Sequence, residues 1–397
     1  MKRLMLASAS LLVVGLIAGC GSSAGSTAGS GTPKGSVASP TPTTSPRPTR
    51  LFAVLETKRS GAQYFQTHDT IAIAGADGFA VARASFTPRS IPPIFDAATV
   101  VQPEAYVADG AVFYADGGGV VHRLDPLGKD RTVTTFPLTS PEQELSFAVS
   151  PDGKQLMAAR LTFPKLTSAS SGPPPTSTGN WMLDILKASA GGSATQLQHW
   201  QAPPTTYPGA ADAFQTVFVV GWDSAGPIAL IGGGIGTQQN LFDGQRFFGG
   251  HLAYLGLDGR TGQSIGGQGC QPFAPPTANR VICAEYSGAA VSVSVRGVDG
   301  HVLWSTSLAN PPSGFLGGFV LSPDGQRLAM DGQIVTLTSG ATAALPNTFT
   351  PAIFLGSDQL IGSIQGGTHV VATVHLTPTP TIDNWGFSGQ VVGTLGS

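Results

Sequence analysis

Two stretches of the sequence share one pattern and decide the fold class. They read Ser146-Phe-Ala-Val-Ser-Pro-Asp-Gly-Lys-Gln-Leu-Met-Ala158 and Gly318-Phe-Val-Leu-Ser-Pro-Asp-Gly-Gln-Arg-Leu-Ala-Met330, and they align without a gap. Each has an apolar run, then Ser-Pro-Asp-Gly, then a second apolar run. Proline fixes φ at the first corner of a tight turn and glycine accepts the positive φ that follows, so each stretch predicts a β-hairpin.

The turn residues recur along the chain. The two full copies are Ser150, Pro151, Asp152 and Gly153, and Ser322, Pro323, Asp324 and Gly325. Asp-Gly pairs, which suit hairpin turns, begin at Asp77, Asp109, Asp116, Asp152, Asp243, Asp258, Asp299, Asp324 and Asp331. No window of a dozen residues shows a clear 3.6-residue period, so the sequence predicts an all-β protein with very little helix.

The repeated hairpin resembles the repeat of TolB-like and WD-repeat-like bacterial β-propellers, in which Ser-Pro-Asp-Gly turns between two strands of a blade. Val295–Leu308 also resembles one unit of a quinoprotein-type propeller repeat. These resemblances imply a β-propeller. A pair of β-sandwiches is the structural alternative.

The number of blades follows from length and from the spacing of apolar clusters. Residues 51–397 divide into seven to eight units at about 40–50 residues each. Apolar clusters are centred near 72, 113, 152, 222, 290, 325 and 355, which favours seven blades over six or eight. Two stretches, 164–180 and 232–250, are too long for turns and are predicted to be loops on a propeller face.

The N-terminus has the features of a secretory signal peptide. Lys2 and Arg3 precede an apolar run, Leu4–Leu16, which is too short to span a membrane. Ile17-Ala18-Gly19-Cys20 resembles the bacterial lipoprotein box, and this resemblance implies cleavage before Cys20 and lipidation of its thiol. An ordinary cleaved signal, with Cys20 incidental, is the alternative.

Three segments are therefore predicted. Residues 1–19 are a lipoprotein signal peptide, residues 20–50 a lipidated cysteine and a tether, and residues 51–397 the propeller. The tether consists of Gly, Ser, Thr, Ala and Pro, which bury too little apolar surface to order a chain.

The two other cysteines, Cys270 and Cys283, form an even pair in a chain expected to be exported. Their spacing closes a loop of about 14 residues, for which a disulfide contributes about 3 kcal/mol. The sequence predicts that bond, with two separate thiols as the alternative. No second pair or nearby histidine completes a zinc site.

Composition excludes one class of partner. Only 11% of the 397 residues are charged, and 21 basic against 23 acidic side chains give a net charge of −2. Nucleic-acid binding needs a basic excess to neutralise phosphates, so no nucleic-acid partner is expected.

Few residues suggest catalysis. Asp69 and Asp116 are interpreted first as ordinary turn aspartates, and a calcium or substrate site in a propeller funnel is the less favoured interpretation. A sugar-stacking platform is one interpretation of Trp181, Trp200 and Trp222, and packing between blades is the favoured one.

The sequence therefore predicts a non-catalytic propeller without a cofactor or metal. Lipid on Cys20 anchors it to the extracytoplasmic face of a bacterial cell membrane, where it binds a protein, peptide or glycan. The alternative is a propeller enzyme with a site in the central funnel, either a quinoprotein-like oxidoreductase or a metal-dependent lactonase or glycosidase.

Overall fold

The structure is a computed structural model that describes residues 50–58, 67–87, 105–162, 165–166, 177–178, 180–202, 216–232, 234–236, 246–248, 250–287, 290–309, 319–330, 332–346, 349–364, 370–376, 379–385 and 389–396. They belong to one compact unit, Arg47–Ser397. Within these ranges the chain forms strands and turns and no helix, and thus no helical segment suited to crossing a membrane. The predicted signal peptide, lipidation site and tether lie outside the described residues, apart from Arg50.

Seven antiparallel four-stranded sheets form the blades. The strands of blades 1–4 are β1 Leu51–Lys58, β2 Thr67–Gly75, β3 Ala80–Ser85 and β32 Gly389–Leu395; β4 Ala105–Ala108, β5 Ala111–Ala115, β6 Val120–Leu124 and β7 Asp130–Thr135; β8 Gln143–Val149, β9 Gln155–Thr162, β12 Trp181–Ser189 and β13 Thr195–Ala202; and β14 Val217–Asp223, β15 Gly226–Ile231, β18 His251–Leu255 and β19 Thr261–Ile265.

Blades 5–7 follow the same order. Their strands are β20 Gln271–Pro272, β21 Arg280–Ser287, β22 Ala290–Gly297 and β23 Val302–Ala309; β24 Val320–Leu321, β25 Arg327–Met330, β26 Gln333–Thr336 and β27 Thr342–Ala344; and β28 Phe349–Phe354, β29 Gln359–Ile364, β30 Val370–His375 and β31 Thr381–Asn384. The prediction of an all-β propeller with seven blades is confirmed.

The innermost strands are β32, β4, β8, β14, β20, β24 and β28. Several of them touch across neighbouring blades, as β4 does with β32 and with β8. Blade 1 is completed from both ends of the described chain, because β32 pairs with β1 in a register that places Leu395 opposite Leu51. This pairing closes the ring.

Amino-acid type follows position within a blade. Every residue of the inner strand β8 is buried, because neighbouring blades cover both of its faces. The outermost strands β7 and β19 are polar and mostly exposed. The apolar core accordingly lies between blades, as in the cluster of Phe113 and Val121 of blade 2 with Phe147 and Leu156 of blade 3.

The two Ser-Pro-Asp-Gly stretches form the inner turns of blades 3 and 6, where an inner turn joins the innermost strand to the second strand. In blade 3 the Ser150 hydroxyl donates to Asp152 Oδ1 at 2.6 Å and accepts from the Gln155 amide at 2.9 Å. Gly153 has a φ of +71°, which an L side chain rarely adopts. The serine thus ties the two sides of the turn together.

The other Asp-Gly pairs within the described residues also occupy turns between strands, as predicted. They begin at Asp77, Asp109, Asp116, Asp258 and Asp299. Asp243 and Asp331 lie outside the described residues.

The two predicted loops each contain a short β-ribbon. β10 Lys165–Leu166 pairs with β11 Ser177–Thr178, and β16 Gly234–Gly236 pairs with β17 Arg246–Phe248. Both ribbons join the second and third strands of their blades. The rest of 164–180 and 232–250 is largely outside the described residues.

Candidate binding funnel

The inner strands surround a cavity of about 370 Å³, here called the funnel. Its wall is largely apolar and includes the residues Phe273, Phe319, Val320, Ile353, Phe354 and Val392. None of the described residues that line it carries a charge. The described part of the funnel wall is thus suited to surround apolar groups.

Among the described residues, six of the seven blades contribute to the wall, and blade 3 does not. Tyr106 of β4 explains this, because it reaches past blade 3 to Trp222 of β14. Its hydroxyl accepts from the Trp222 amide at 2.9 Å and donates to the Trp222 carbonyl at 3.3 Å. Burial raises the pKa of Tyr106 to about 12.

The wall of blade 5 is held by a disulfide between Cys270 and Cys283. This is the predicted pair. Between the two cysteines lie Phe273 and the inner turn 274–277, all of which line the funnel. The bond therefore restrains a part of the wall.

A second cavity of about 320 Å³, here called the side pocket, adjoins the funnel. The two share Pro323, Phe354 and Thr394. Unlike the funnel, the side pocket is lined by charged groups, Arg50 and Asp324, and by the inner turn of blade 7. Within the described lining of the two cavities, the charged side chains thus lie only at the side pocket.

Arginines from both neighbouring blades hold the inner turn of blade 7. Arg50 Nη1 donates to Leu355 O at 3.3 Å and pairs with Asp358 Oδ1 at 2.5 Å. From the other side, Arg327 donates to Ser357 O. The Arg50 guanidinium holds the pKa of Asp358 below its usual range. These contacts fix the rim of the side pocket next to the ring closure.

A separate polar network lies on blade 3. Asp184 of β12 is opposite Arg160 of β9 and His199 of β13, and its side chain is only 7% exposed. His199 Nδ1 lies 2.7 Å from Asp184 Oδ1, and Arg160 Nη2 lies 2.9 Å from Oδ2. Two partners therefore compensate a buried carboxylate, and none of the three residues lines the funnel.

The candidate funnel aspartates lie elsewhere. Asp116 Oδ1 accepts from the amides of Gly118 and Val120 at 2.9 Å, so it caps the turn between β5 and β6. Asp69 lies on β2, and neither aspartate lines the funnel. Asp116 is therefore a turn aspartate, as the favoured interpretation had it. Among the described residues no group of three or more His, Cys, Asp or Glu side chains converges as metal ligands do.

The tryptophans divide between two environments. Trp181 and Trp222 pack against the apolar cluster between blades 3 and 4, as the favoured interpretation predicted. Trp200 is 41% exposed on the outermost strand of blade 3. The three do not form one platform on the funnel wall.

Sequence reasoning missed Tyr106, Arg50 and the phenylalanines of the wall. The sequence pattern of an apolar residue on an inner strand is the same whether its side chain packs against a neighbouring blade or lines the funnel. The side pocket joins Arg50 to residues about 300 positions away, and no local signal marks such a pairing.

Together the fold and the funnel define a seven-bladed β-propeller with a central, largely apolar cavity. No protein-family model matches the sequence, and no curated protein does. Solved structures do match.

Three of these solved structures span different kinds of protein. An oligogalacturonate lyase from Vibrio parahaemolyticus is 11% identical, with 70% of this chain and 75% of that chain covered and a TM-score of 0.40. BamB from Moraxella catarrhalis is 13% identical over 75% and 78%, with a TM-score of 0.36. A putative TolB from Agrobacterium tumefaciens is 11% identical over 78% and 87%, with a TM-score of 0.34. The likeness is one of fold alone.

Proposed function

We propose that this protein is a membrane-tethered, extracytoplasmic binding propeller that holds an apolar segment of a peptide or protein in its funnel. The observation that carries the proposal is the apolar wall, to which Phe273, Phe319 and Phe354 each contribute. Burying apolar side chains against such a wall is the main source of affinity in ligand sites of this kind.

The same wall favours a peptide over a glycan. A glycan needs polar partners for its hydroxyls and an exposed aromatic face for stacking. Trp181 and Trp222 instead pack between blades, and the funnel supplies few polar groups. Apolar peptide side chains make no such demand.

The tether and anchor remain part of the proposal. They rest on the signal-peptide pattern and on Ile17-Ala18-Gly19-Cys20, all outside the described residues. The disulfide between Cys270 and Cys283 supports export, since such bonds persist mainly in oxidising compartments.

The test uses the full chain carrying Cys20→Ala, which avoids detergent, and a fluorescein-labelled Phe-Leu-Val-Leu-Phe peptide. We expect saturable binding by fluorescence anisotropy. Val320→Gln places an amide on the funnel wall and is expected to weaken binding about 10-fold, because the peptide desolvates that amide without bonding it.

Leu257→Gln is the matched control. Leu257 is 51% exposed and does not line the funnel, so its substitution should leave binding unchanged. Equal effects of the two variants, or no saturable binding, contradict the proposal. A quinone absorbance, or a divalent metal retained after dialysis, supports the enzyme alternative instead.

A further inference from the structure

We propose that two copies of this chain associate through β23, the outermost strand of blade 5. The two β23 edges pair antiparallel and join two blades into one eight-stranded sheet. This inference concerns the side of the ring and goes beyond the binding proposed for the funnel. It follows from a strand edge that is long, uncharged and uncovered within the described part of the chain.

The edge of β23 has none of the features that prevent strand addition along most of its length. Its sequence, Val-Leu-Trp-Ser-Thr-Ser-Leu-Ala, contains no charged residue, proline or glycine. Residues 304–309 pair with β22 in an unbroken register. An outermost strand has a strand partner on one side only, so its other side presents backbone N–H and C=O groups to a further strand.

The outermost strands of the other six blades are short, charged or irregular. β27 and β31 have three and four residues. β3 and β7 carry the charged residues Arg83 and Arg131. The register of β13 and of β19 with the third strand of its blade is broken by a shift. Short length, charge and bulges are the usual means by which proteins protect sheet edges, so the uninterrupted part of β23 stands apart.

Neighbouring blades also cover outermost strands. The outer turn of a blade, which joins its third strand to its outermost strand, packs on the preceding blade. In the outer turn of blade 3, Gly191 N donates to Val133 O of β7 at 2.8 Å. In the outer turn of blade 4, Asp258 O accepts from Gln198 Nε2 of β13 at 3.0 Å. These contacts restrict access to β7 and β13.

Blade 6 follows blade 5 in the ring and leaves β23 uncovered. The four strands of blade 6 have only two, four, four and three residues. Among the residues that the structure describes, no hydrogen bond joins blade 6 to β23. At the start of β23, Val302 and Leu303 are 54% and 40% exposed. The edge is therefore open to a second strand.

The edge of β23 is complementary to itself. In an antiparallel pair centred on Thr306, Ser305 of each copy lies opposite Ser307 of the other. Within blade 5 the two serines already lie opposite Ser294 and Ser292 of β22. A second copy thus continues the same serine surface, and hydroxyl pairs across strands stabilise a sheet.

The charges beside this surface are compensated within each copy. Ser305 and Ser307 line a groove of about 410 Å³, and its charged groups are Glu285 and Arg296. Arg296 Nη2 pairs with Glu285 Oε1 at 2.8 Å, and Nη1 donates to Gln268 O at 3.0 Å. Two copies therefore approach without a net like charge at the contact. Two-fold pairing uses the same edge of both chains, so the assembly closes as a dimer.

Sedimentation velocity of the full chain carrying Cys20→Ala measures this association. A single strand pair lies at the small end of specific interfaces, so we expect a reversible dimer with a Kd of about 10–100 µM. Ser305→Lys/Ser307→Lys places lysine opposite lysine at two positions of the pair. It should raise the Kd about 10-fold, because like charges directly opposite destabilise a sheet.

Ser305→Lys/Ser307→Glu is the matched variant. It places each introduced lysine opposite an introduced glutamate of the other copy, so it should restore the Kd of the unsubstituted edge. Thr261→Lys/Gln263→Lys adds two charges to exposed positions of β19 and should leave the Kd unchanged.

Two outcomes overturn the inference. One is a chain that stays monomeric up to about 500 µM, well above the expected Kd. The other is an equal loss of association in the two variants of Ser305 and Ser307. Binding of the Phe-Leu-Val-Leu-Phe peptide should be the same in all these variants, so failure of the dimer and failure of the proposed funnel are told apart. The charge-paired variant keeps the test valid should the lysine pair unfold the blade.

Discussion

Cys270 and Cys283 form a disulfide that spans the funnel wall of blade 5. The innermost strand of that blade, β20, is only two residues long, Gln271–Pro272. Pro275 and Pro276 follow in the inner turn and donate no backbone hydrogen bond. The covalent bond thus holds the inner edge of a blade whose innermost strand ladder is short.

Removing this bond is expected to loosen the funnel. The double variant Cys270→Ser/Cys283→Ser should lose about 3 kcal/mol of unfolding free energy, because the unfolded chain regains the freedom of a loop of about 14 residues. Urea unfolding with and without dithiothreitol measures the loss. The urea midpoint of the double variant should be the same with and without the reductant. An unchanged urea midpoint of the native chain after full reduction contradicts the prediction.

Tyr106→Phe is expected to destabilise the propeller by about 1–3 kcal/mol, because it leaves the Trp222 amide without its acceptor. Tyr254→Phe serves as the comparison. The Tyr254 hydroxyl donates to Asp223 Oδ2 in a partly exposed position and should matter less. Chemical denaturation measures the free energy of unfolding of both variants. An equal loss in the two argues against a special role of the hydrogen bonds between Tyr106 and Trp222.

The same tyrosine predicts a pH dependence. The pKa of Tyr106 is about 12 in the folded protein against 10.0 ordinarily, so the unfolded chain loses this proton first as pH rises. The contribution of Tyr106 to the free energy of unfolding is therefore fully present below pH 10 and is lost between about pH 10 and 12. Tyr106→Phe should flatten the decline in unfolding free energy over that window, and an unchanged decline excludes this assignment.

Ser322→Ala is expected to weaken the inner turn of blade 6. The serine hydroxyl bonds both Asp324 and the Arg327 amide, and its bond to Asp324 is the main reason that the pKa of Asp324 lies below 3.8. Because the pKa of Asp324 is lower in the folded than in the unfolded chain, its carboxylate stabilises the folded state at pH values above the unfolded pKa. This stabilisation is lost as the pH falls through the folded pKa. The variant should raise this pKa, as a carboxyl NMR titration measures, and should lose about 1 kcal/mol.

Ser150→Ala, in the matching turn of blade 3, should behave in the same way for Asp152. Ser305→Ala is the control, because Ser305 is exposed on β23. An unshifted Asp324 titration in Ser322→Ala shows that the hydroxyl does not set this pKa.

Cys20→Ala is expected to release the protein from the membrane, because it removes the thiol on which the proposed lipid anchor depends. Two acyl chains hold a protein on a bilayer where one is marginal. Fractionation of cells into membrane and soluble material measures the change, with Ser22→Ala as the control in the predicted tether. Retention of the Cys20→Ala chain on the membrane refutes the lipoprotein interpretation.

The elements whose causes are local could be predicted from the sequence alone. Ser150 to Gly153 contain both the hydroxyl that ties the turn and the glycine that takes its positive φ, so the hairpin was readable from four residues. The apolar clusters around such turns indicated seven blades. The spacing of Cys270 and Cys283 indicated their bond, because loop closure over so few residues is easily achieved.

What the ring encloses depends on the tertiary structure. Tyr106 and Trp222 are 116 residues apart, and Arg50 and Asp358 are 308 apart, so their contacts exist only once the blades are arranged around an axis. Closure by β32, the exclusion of blade 3 from the funnel and the junction with the side pocket follow from that arrangement. The interactions of a turn involve four consecutive residues and can be predicted from the sequence. A cavity lined by six blades depends on which strand faces the closed ring brings together.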